Sequence, residues 1–262
     1  MRVIFIGAAC SLLAFLCAAA QTPVATNPQA LQILQQSLAA LSPNIAVQDV
    51  TLTGSARYIA GSDDETGTAS LKANSLGDAR IDLSLPSGNR SEVYNLSSGP
   101  PAGQWSDRDT ARKEIPFHNL IAEPAWFSPV TSISRRLSGS AFAVSYVGAE
   151  TLDSQSVHHI AVSQPPQAIA KDVQLFQHLT QIDLYIDPST FLPVALSFNI
   201  HPDENELVDI PVEIRYSDYR RVNGQQIPFH IQRFLNNTLL LDIQLDSATV
   251  NTGVPATTFG VS

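Results

Sequence analysis

The chain has 262 residues, a formal net charge of −9 and a sequence pI of about 5.0. Such an acidic surface disfavours nucleic acid and anionic membrane surfaces as partners, because both are negatively charged. The length is sufficient to bury a sizeable core, and an all-β domain of this size is commonly a single unit.

The first twenty residues predict a cleaved signal peptide. Arg2 precedes an almost wholly apolar run over residues 3–16, and Ala18-Ala19-Ala20 offers the small residues of a cleavage site before Gln21. The run is shorter than the ~20 apolar residues of a membrane span, and no later segment approaches that length. We therefore expect an exported chain that does not span a membrane, with residues 21–262 forming one domain.

Both cysteines lie inside this segment. Cleavage would therefore leave residues 21–262 without a thiol or a disulfide, to be held together by the core alone. The alternative is lipidation of a cysteine. Cys10 follows Gly7-Ala8-Ala9, a better match to a lipoprotein peptidase site than Cys17, which follows the bulky Leu16.

A helix and four strands are predicted next. Asn27 is a favourable N-cap, and Pro28 stands at the first helical position, where its missing N–H removes no hydrogen bond. Leucines then recur every three or four residues to Leu41, which predicts an apolar stripe facing a sheet, and Ser42-Pro43 ends the helix. Turn-forming sequences separate strands predicted at residues 47–58, 67–73, 79–85 and 91–96.

Residues 97–130 break the strand rhythm. Pro116 is expected to begin a short helix, and Pro124 to end or kink it. Such an apolar connection between strands tends to pack across the sheet or close its open side. Its apolar side chains are Phe117, Leu120, Ile121, Trp126 and Phe127.

The remainder of the chain reads mainly as strands. A hairpin is predicted at residues 142–152 and 157–163, then a helical turn at 171–178. Five strands follow over residues 181–250, each with one apolar and one polar face, which indicates an antiparallel meander that buries one side. The tail beyond Val250 is expected to cross back over the fold.

Three stretches carry a family resemblance. Residues 183–194 read as a strand, an Asp-x-x-Thr turn and a Leu-Pro start of the next strand. Residues 216–229 contain two tyrosines, followed by the Asn223-Gly224 turn and then by Ile-Pro. Residues 250–253 read Val-Asn-Thr-Gly. Together they resemble the outer-membrane lipoprotein-carrier family and its periplasmic lipid-binding and envelope-stress-sensing relatives.

The resemblance implies a mainly β (α+β) fold: a long curved antiparallel sheet forming an unclosed half-barrel, its concave side covered by short helices. It also implies a hydrophobic cavity for a lipid, an acyl chain or a lipidated protein, held for transport or sensing by a non-enzymatic periplasmic protein. The apolar segment from Phe117 to Phe127 is the candidate lid. The strand residues expected to line the cavity are Leu184, Leu196, Phe198, Ile214, Phe229, Ile231 and Leu241.

Two other functions stay open. One is an envelope interaction or sensor module with a filled core and a protein partner, and the other is a hydrolase with an unrecognised site. The sequence contains no Gly-x-Ser-x-Gly elbow, phosphate loop or dinucleotide fingerprint, and it predicts no catalytic residue.

No cofactor or metal site is predicted either. Adjacent His158 and His159 would point to opposite faces of a strand, which places them badly for one metal ion. The other histidines are scattered without metal-ligand spacing; they are His118, His178, His201 and His230.

Overall fold

The computed structural model describes residues 26–138, 142–164 and 172–261. The predicted signal peptide at residues 1–20, with Cys10 and Cys17, lies outside these ranges. Within them, no helix combines the length and the apolar character that crossing a membrane requires.

The described residues form four α-helices, thirteen strands and a short 3-10 helix at Ala256–Phe259. The helices are α1 (Pro28–Leu41), α2 (Phe117–Leu120), α3 (Pro129–Ser138) and α4 (Val173–Thr180). The strands are β1 (Asp49–Ala60), β2 (Asp63–Asn74), β3 (Ala79–Leu85), β4 (Gly88–Asn95), β5 (Ala102–Ser106), β6 (Lys113–Glu114), β7 (Ala143–Leu152), β8 (Gln155–Ser163), β9 (Ile182–Ile186), β10 (Pro193–Ile200), β11 (Ile210–Val222), β12 (Gln225–Leu235) and β13 (Thr238–Val250).

All thirteen strands belong to one antiparallel sheet in the order β6-β5-β4-β3-β2-β1-β13-β12-β11-β10-β9-β8-β7. The sheet is open, with β6 and β7 at its edges, and this confirms the predicted unclosed antiparallel sheet. β1 joins the two halves by pairing with β13, across a bulge at Thr53/Gly54. A Cβ at Gly54 would lie 2.1 Å from the Gln244 carbonyl oxygen, so only glycine permits this close approach.

The predicted first helix is confirmed, although its buried face is rotated. The Asn27 side chain accepts a hydrogen bond from the Ala30 N–H at 3.0 Å, as the N-cap assignment predicts. Leu31 and Leu38 of the predicted stripe are only half-buried. The sheet-facing residues are Ala30, Ile33, Leu34, Ser37 and Leu41.

Residues 97–130, which were expected to interrupt the strand pattern, contribute two strands. β5 and β6 extend the sheet within this segment, and α2 begins after Pro116 as predicted. The five-residue β5 follows Gly99-Pro100-Pro101 closely, and so short a strand shows little alternation. α3 was not predicted, and Pro129 is its first residue.

The C-terminal meander has the predicted alternation. Ile182, Leu184 and Ile186 of β9 are all fully buried, and the inner faces of β10–β13 continue the same core. The predicted Asp-x-x-Thr turn has a clear cause, because Asp187 accepts hydrogen bonds from the Ser189 and Thr190 backbone N–H groups at 2.9 and 2.7 Å.

The helices cover the inner face of the sheet. α1 packs against α3, β7 and β12, and its buried residues join the apolar core with the inner faces of the strands. Trp126, Phe127, Val130 and Ile133 belong to the same core. This arrangement confirms the predicted coverage of the concave side by short helices.

The histidine doublet on β8 has separate environments. His158 Nδ1 lies 3.1 Å from the Tyr146 hydroxyl, whereas His159 is flanked by Glu150 and Asp183, with both N···O distances 2.8 Å. Burial opposes protonation of His159, but hydrogen bonds and charge attraction from the two carboxylates outweigh it and raise its pKa.

Candidate ligand-binding cleft

A cleft lies where the two arms of the bent sheet approach each other. It consists of two adjoining chambers with volumes of about 450 Å³ and about 190 Å³. Both are lined by Trp105 of β5 and Ile200 of β10, strands with seven others between them in the sheet. Since such distant strands can share a wall only if the sheet curls, the cleft is a direct consequence of its curvature.

The walls of the cleft are mainly apolar and aromatic. Tyr58 contributes from β1, and Leu240 and Leu241 from β13. Trp126 and Pro124 close the smaller chamber from the segment between α2 and α3. The other apolar or aromatic lining residues are Ile81, Leu83, Tyr94, Ile115, Pro116, Phe198 and Leu235.

Arg233 and Glu92 bring charge to both chambers. Their closest N–O distance is 3.6 Å, and only 12% of the Arg233 side chain is exposed. The guanidinium lies 5.2 Å from the Trp126 ring centroid, and Arg233 Nε has no hydrogen-bond partner among the described residues. The Tyr94 hydroxyl donates to Glu92 at 3.0 Å, and burial raises the pKa of Tyr94 well above its usual range. Arg233 is therefore a largely desolvated cation whose Nε–H group can donate a hydrogen bond to a ligand.

A second arginine, Arg90, is buried and lines the larger chamber. Arg90 Nε lies 2.7 Å from Asp107 Oδ1, and its guanidinium carbon lies 4.3 Å from the Tyr58 ring centroid. Because Arg90 is held by a close carboxylate, Arg233 is the better placed of the two to meet a ligand's polar end.

The apolar segment is fixed in place at Trp126. The Tyr216 hydroxyl donates to the Trp126 carbonyl at 2.5 Å, and the Trp126 and Phe127 rings meet edge to face. Burial raises the pKa of Tyr216 well above its ordinary value, so the hydroxyl remains a donor. Trp126 and Phe127 are 2% and 0% exposed, which places them in the core beneath the cleft.

A buried ion pair anchors the same segment to α3. Arg136 lies 2.5 Å from Glu123, and the two side chains are only 2% and 1% exposed. Ser132 supports both partners, because its hydroxyl donates to Glu123 and its backbone carbonyl accepts from Arg136. The pair matters for stability mainly because either charge, buried without its partner, would strongly destabilise the folded protein.

The residues predicted to form the cavity and lid divide into three groups. Trp126, Phe198 and Leu241 line the cleft. Phe117 is 56% exposed, Ile121 is half-buried and Leu120 is buried outside the main apolar core. The others are buried in that core and are not among the residues lining either chamber; they are Phe127, Leu184, Leu196, Ile214, Phe229 and Ile231.

Sequence reasoning missed most of the cleft, including Arg233, Glu92 and Trp105. A signal for Arg233 was present, since it continues the Phe229 and Ile231 alternation at the next inward position of β12. A cation on an otherwise apolar strand face is the pattern that could have identified it.

Two grooves larger than either chamber lie elsewhere in the described part of the chain. One, of about 590 Å³, runs between α1 and β7 past Leu31, Leu38 and Phe142. The other, of about 610 Å³, has a largely polar lining that includes Arg80 and Asp82. Neither brings the two arms of the sheet together.

Comparison with solved structures identifies the fold. A Vibrio parahaemolyticus domain described as an outer membrane lipoprotein-sorting protein matches with a TM-score of 0.56 and 11% identity, over 88% of this chain and 96% of that chain. A LolA superfamily protein from Nitrosomonas europaea matches with a TM-score of 0.53 and 10% identity, over 88% and 97%. A DUF1329 family protein from Desulfovibrio piger gives 0.54 and 9%, over 88% and 96%.

Comparisons of sequence alone find no counterpart. No profile of a known protein family matches the chain. No curated protein matches it either. The structural matches agree with the resemblance seen in the hairpin motifs, and the chain therefore has the fold of the LolA-type lipoprotein-sorting proteins.

Proposed function

We propose that this chain is an exported, non-enzymatic binding protein that holds an acyl chain, from a lipid or a lipidated protein, in the cleft between the arms of its sheet. The observation that carries the proposal is the cleft itself, with apolar walls from both arms and a desolvated arginine between its two chambers. Residues 21–262 would act as one periplasmic domain.

The cleft suits an acyl guest in size and chemistry. Its larger chamber, of about 450 Å³, lies within the ~300–1,000 Å³ typical of small-molecule sites. Each methylene buried there would contribute about 0.8 kcal/mol, so a modest length of chain gives useful affinity.

Arg233 supports a ligand with a polar or anionic end. Its Nε has no partner among the described residues, and Glu92 at 3.6 Å only partly balances its charge. A carboxylate, phosphate or ester oxygen entering the cleft would complete the hydrogen bonding of the guanidinium.

The segment from Phe117 to Phe127 would then act as a wall whose opening admits the guest. Trp126 lines the smaller chamber, but its burial and the hydrogen bond from Tyr216 describe a closed position. The solved proteins of this fold include a domain described as lipoprotein-sorting, which supports transport of the guest as the role.

The test is organic extraction and mass spectrometry of the protein purified from its native host, together with titration by a fluorescent fatty acid. The proposal predicts a co-purified acyl compound or saturable binding with one site per chain. An empty protein that also fails to bind the fatty acid, yet captures a protein partner with no lipid attached, would favour the sensor module instead.

A further inference from the structure

Three histidines that lie far apart in the sequence meet at one end of the sheet. His201 follows β10, His178 lies on α4 and His118 lies on α2. The His201 ring centroid is 5.9 Å from that of His118 and 6.0 Å from that of His178. Asp209, just before β11, completes the group, with its Oδ1 at 2.8 Å from His178 Nε2 and 3.6 Å from His201 Nδ1.

One ring nitrogen of His201 is buried without a hydrogen-bond partner among the described residues. Its Nδ1 lies 3.1 Å from the Val208 carbonyl oxygen, and since a carbonyl can only accept, Nδ1 carries the hydrogen. With that hydrogen on Nδ1, the neutral ring carries a free lone pair on Nε2. The side chain is 0% exposed, and Nε2 has no hydrogen-bond partner among the described residues.

An unpartnered buried nitrogen is unfavourable unless something binds it. The arrangement at His201, with one ring nitrogen donating to a backbone carbonyl and the other free, is the one that orients histidines at metal sites. His201 is therefore prepared for a metal ion in a way that an ordinary core histidine is not.

The group needs a rearrangement of side chains before it can hold a metal, because Asp209 lies 3.6 Å from Nδ1 of His201 whereas the free nitrogen is Nε2. One ligand atom from each of His178, His201 and Asp209 can be chosen so that all three lie within 4.8 Å of one another. Four-coordinate zinc with bonds of about 2.0–2.2 Å holds its ligands roughly 3.3–3.6 Å apart. His178 and Asp209 are almost half exposed, so the adjustment falls on side chains with freedom to move.

We propose that His178, His201 and Asp209 form a binding site for a divalent transition metal, with Zn²⁺ as the ion best suited to two imidazoles and a carboxylate. His118 or water would complete the coordination. None of these three residues lines either chamber of the acyl-binding cleft.

The metal would connect helix α4 to the loop between β10 and β11, because His178 lies on the helix and His201 and Asp209 lie in the loop. Asn119 of α2 already exchanges two hydrogen bonds with the His201 backbone, at 2.8 and 2.9 Å. Binding should therefore raise the thermal stability of the folded protein.

The test uses tag-free protein treated with a chelator, then titrated with ZnCl₂ by calorimetry near neutral pH. We expect one Zn²⁺ per chain with a Kd of about micromolar or tighter, and Co²⁺ should give the visible absorption of a four-coordinate site. His178→Ala and Asp209→Asn alter side chains that are almost half exposed, and each should weaken binding at least tenfold.

His230→Ala is the matched control. His230 also pairs with an aspartate, Asp242 at 3.0 Å, but belongs to no such group of ligands within the described part of the chain. This variant should bind Zn²⁺ like the wild type. The proposal is overturned if the wild type binds Zn²⁺ only at millimolar concentration, or if His178→Ala and Asp209→Asn both bind as the wild type does. Neither result would bear on acyl binding in the cleft.

Discussion

Replacing Ile200 by tryptophan is expected to separate the two chambers of the cleft. Ile200 is half-buried and lines both of them, so an indole at this position would occupy the passage between them. An acyl chain would then lose contact with the smaller chamber, of about 190 Å³. At about 0.8 kcal/mol per methylene, exclusion of four methylenes costs about 3 kcal/mol, which raises Kd about 200-fold.

The assay is calorimetric titration with a series of saturated fatty acids of increasing length. Affinity for the wild type should rise with each methylene, whereas affinity for Ile200→Trp should stop rising about four carbons earlier. Leu76→Trp, a similar change at a side chain 64% exposed in the β2–β3 turn, is the control and should leave the series unchanged. If Ile200→Trp stays folded and follows the wild-type series at every length, the guest does not occupy this cleft.

Three further changes test neighbouring parts of the account. Glu123→Gln should destabilise the protein by about 3–5 kcal/mol in urea unfolding, because it leaves Arg136 buried without its charge partner; a loss no larger than that of exposed Glu204→Gln would contradict this. Arg233→Gln should weaken fatty acid binding about tenfold while sparing the matching fatty alcohol, and equal losses for both would remove the arginine from ligand recognition. The raised pKa of His159 means that its ion pairs stabilise the fold fully below about pH 6.5 and stop doing so as the pH rises through that raised value. The difference in unfolding free energy between wild type and His159→Gln should therefore shrink from pH 6 to pH 9, and a constant difference would show that the charge has no role.

The inner faces of the meander could be predicted because strand alternation is a local property. Ile182, Leu184 and Ile186 read directly as one buried face, and Asn223-Gly224 as a tight turn, and the structure confirms both, with positive φ at the two turn residues. The Asn27 cap was equally local. In each case the signal lies within a few residues of the feature it determines.

The cleft could not be predicted because it depends on how far the sheet bends. Trp105 on β5 and Ile200 on β10 become neighbours only through curvature, part of which arises at bulges such as those at Thr53/Gly54 and Arg233/Phe234. No periodicity encodes that distance. The histidine group could not be predicted either, because His118, His178 and His201 lie on α2, on α4 and after β10, and only the folded arrangement brings them together.

Trp126 shows how a correct local reading can leave the role open. Its apolar segment was expected to cover the sheet, and it does so. Complete burial, however, makes the tryptophan a structural element whose removal would cost about 3–5 kcal/mol. A Trp126→Asp variant would therefore report on folding before it reported on ligand binding.

The most direct measurement uses the chain's own fluorescence. The sequence contains two tryptophans, Trp105 and Trp126, and both line the cleft. A fatty acid brominated along its chain quenches tryptophan emission only at close range. The account predicts strong, saturable quenching by the brominated acid and none by the unbrominated parent, which should compete for the same site. Binding of the brominated acid without quenching, or no binding at all, would contradict the central claim that the bent sheet holds an acyl chain between its arms.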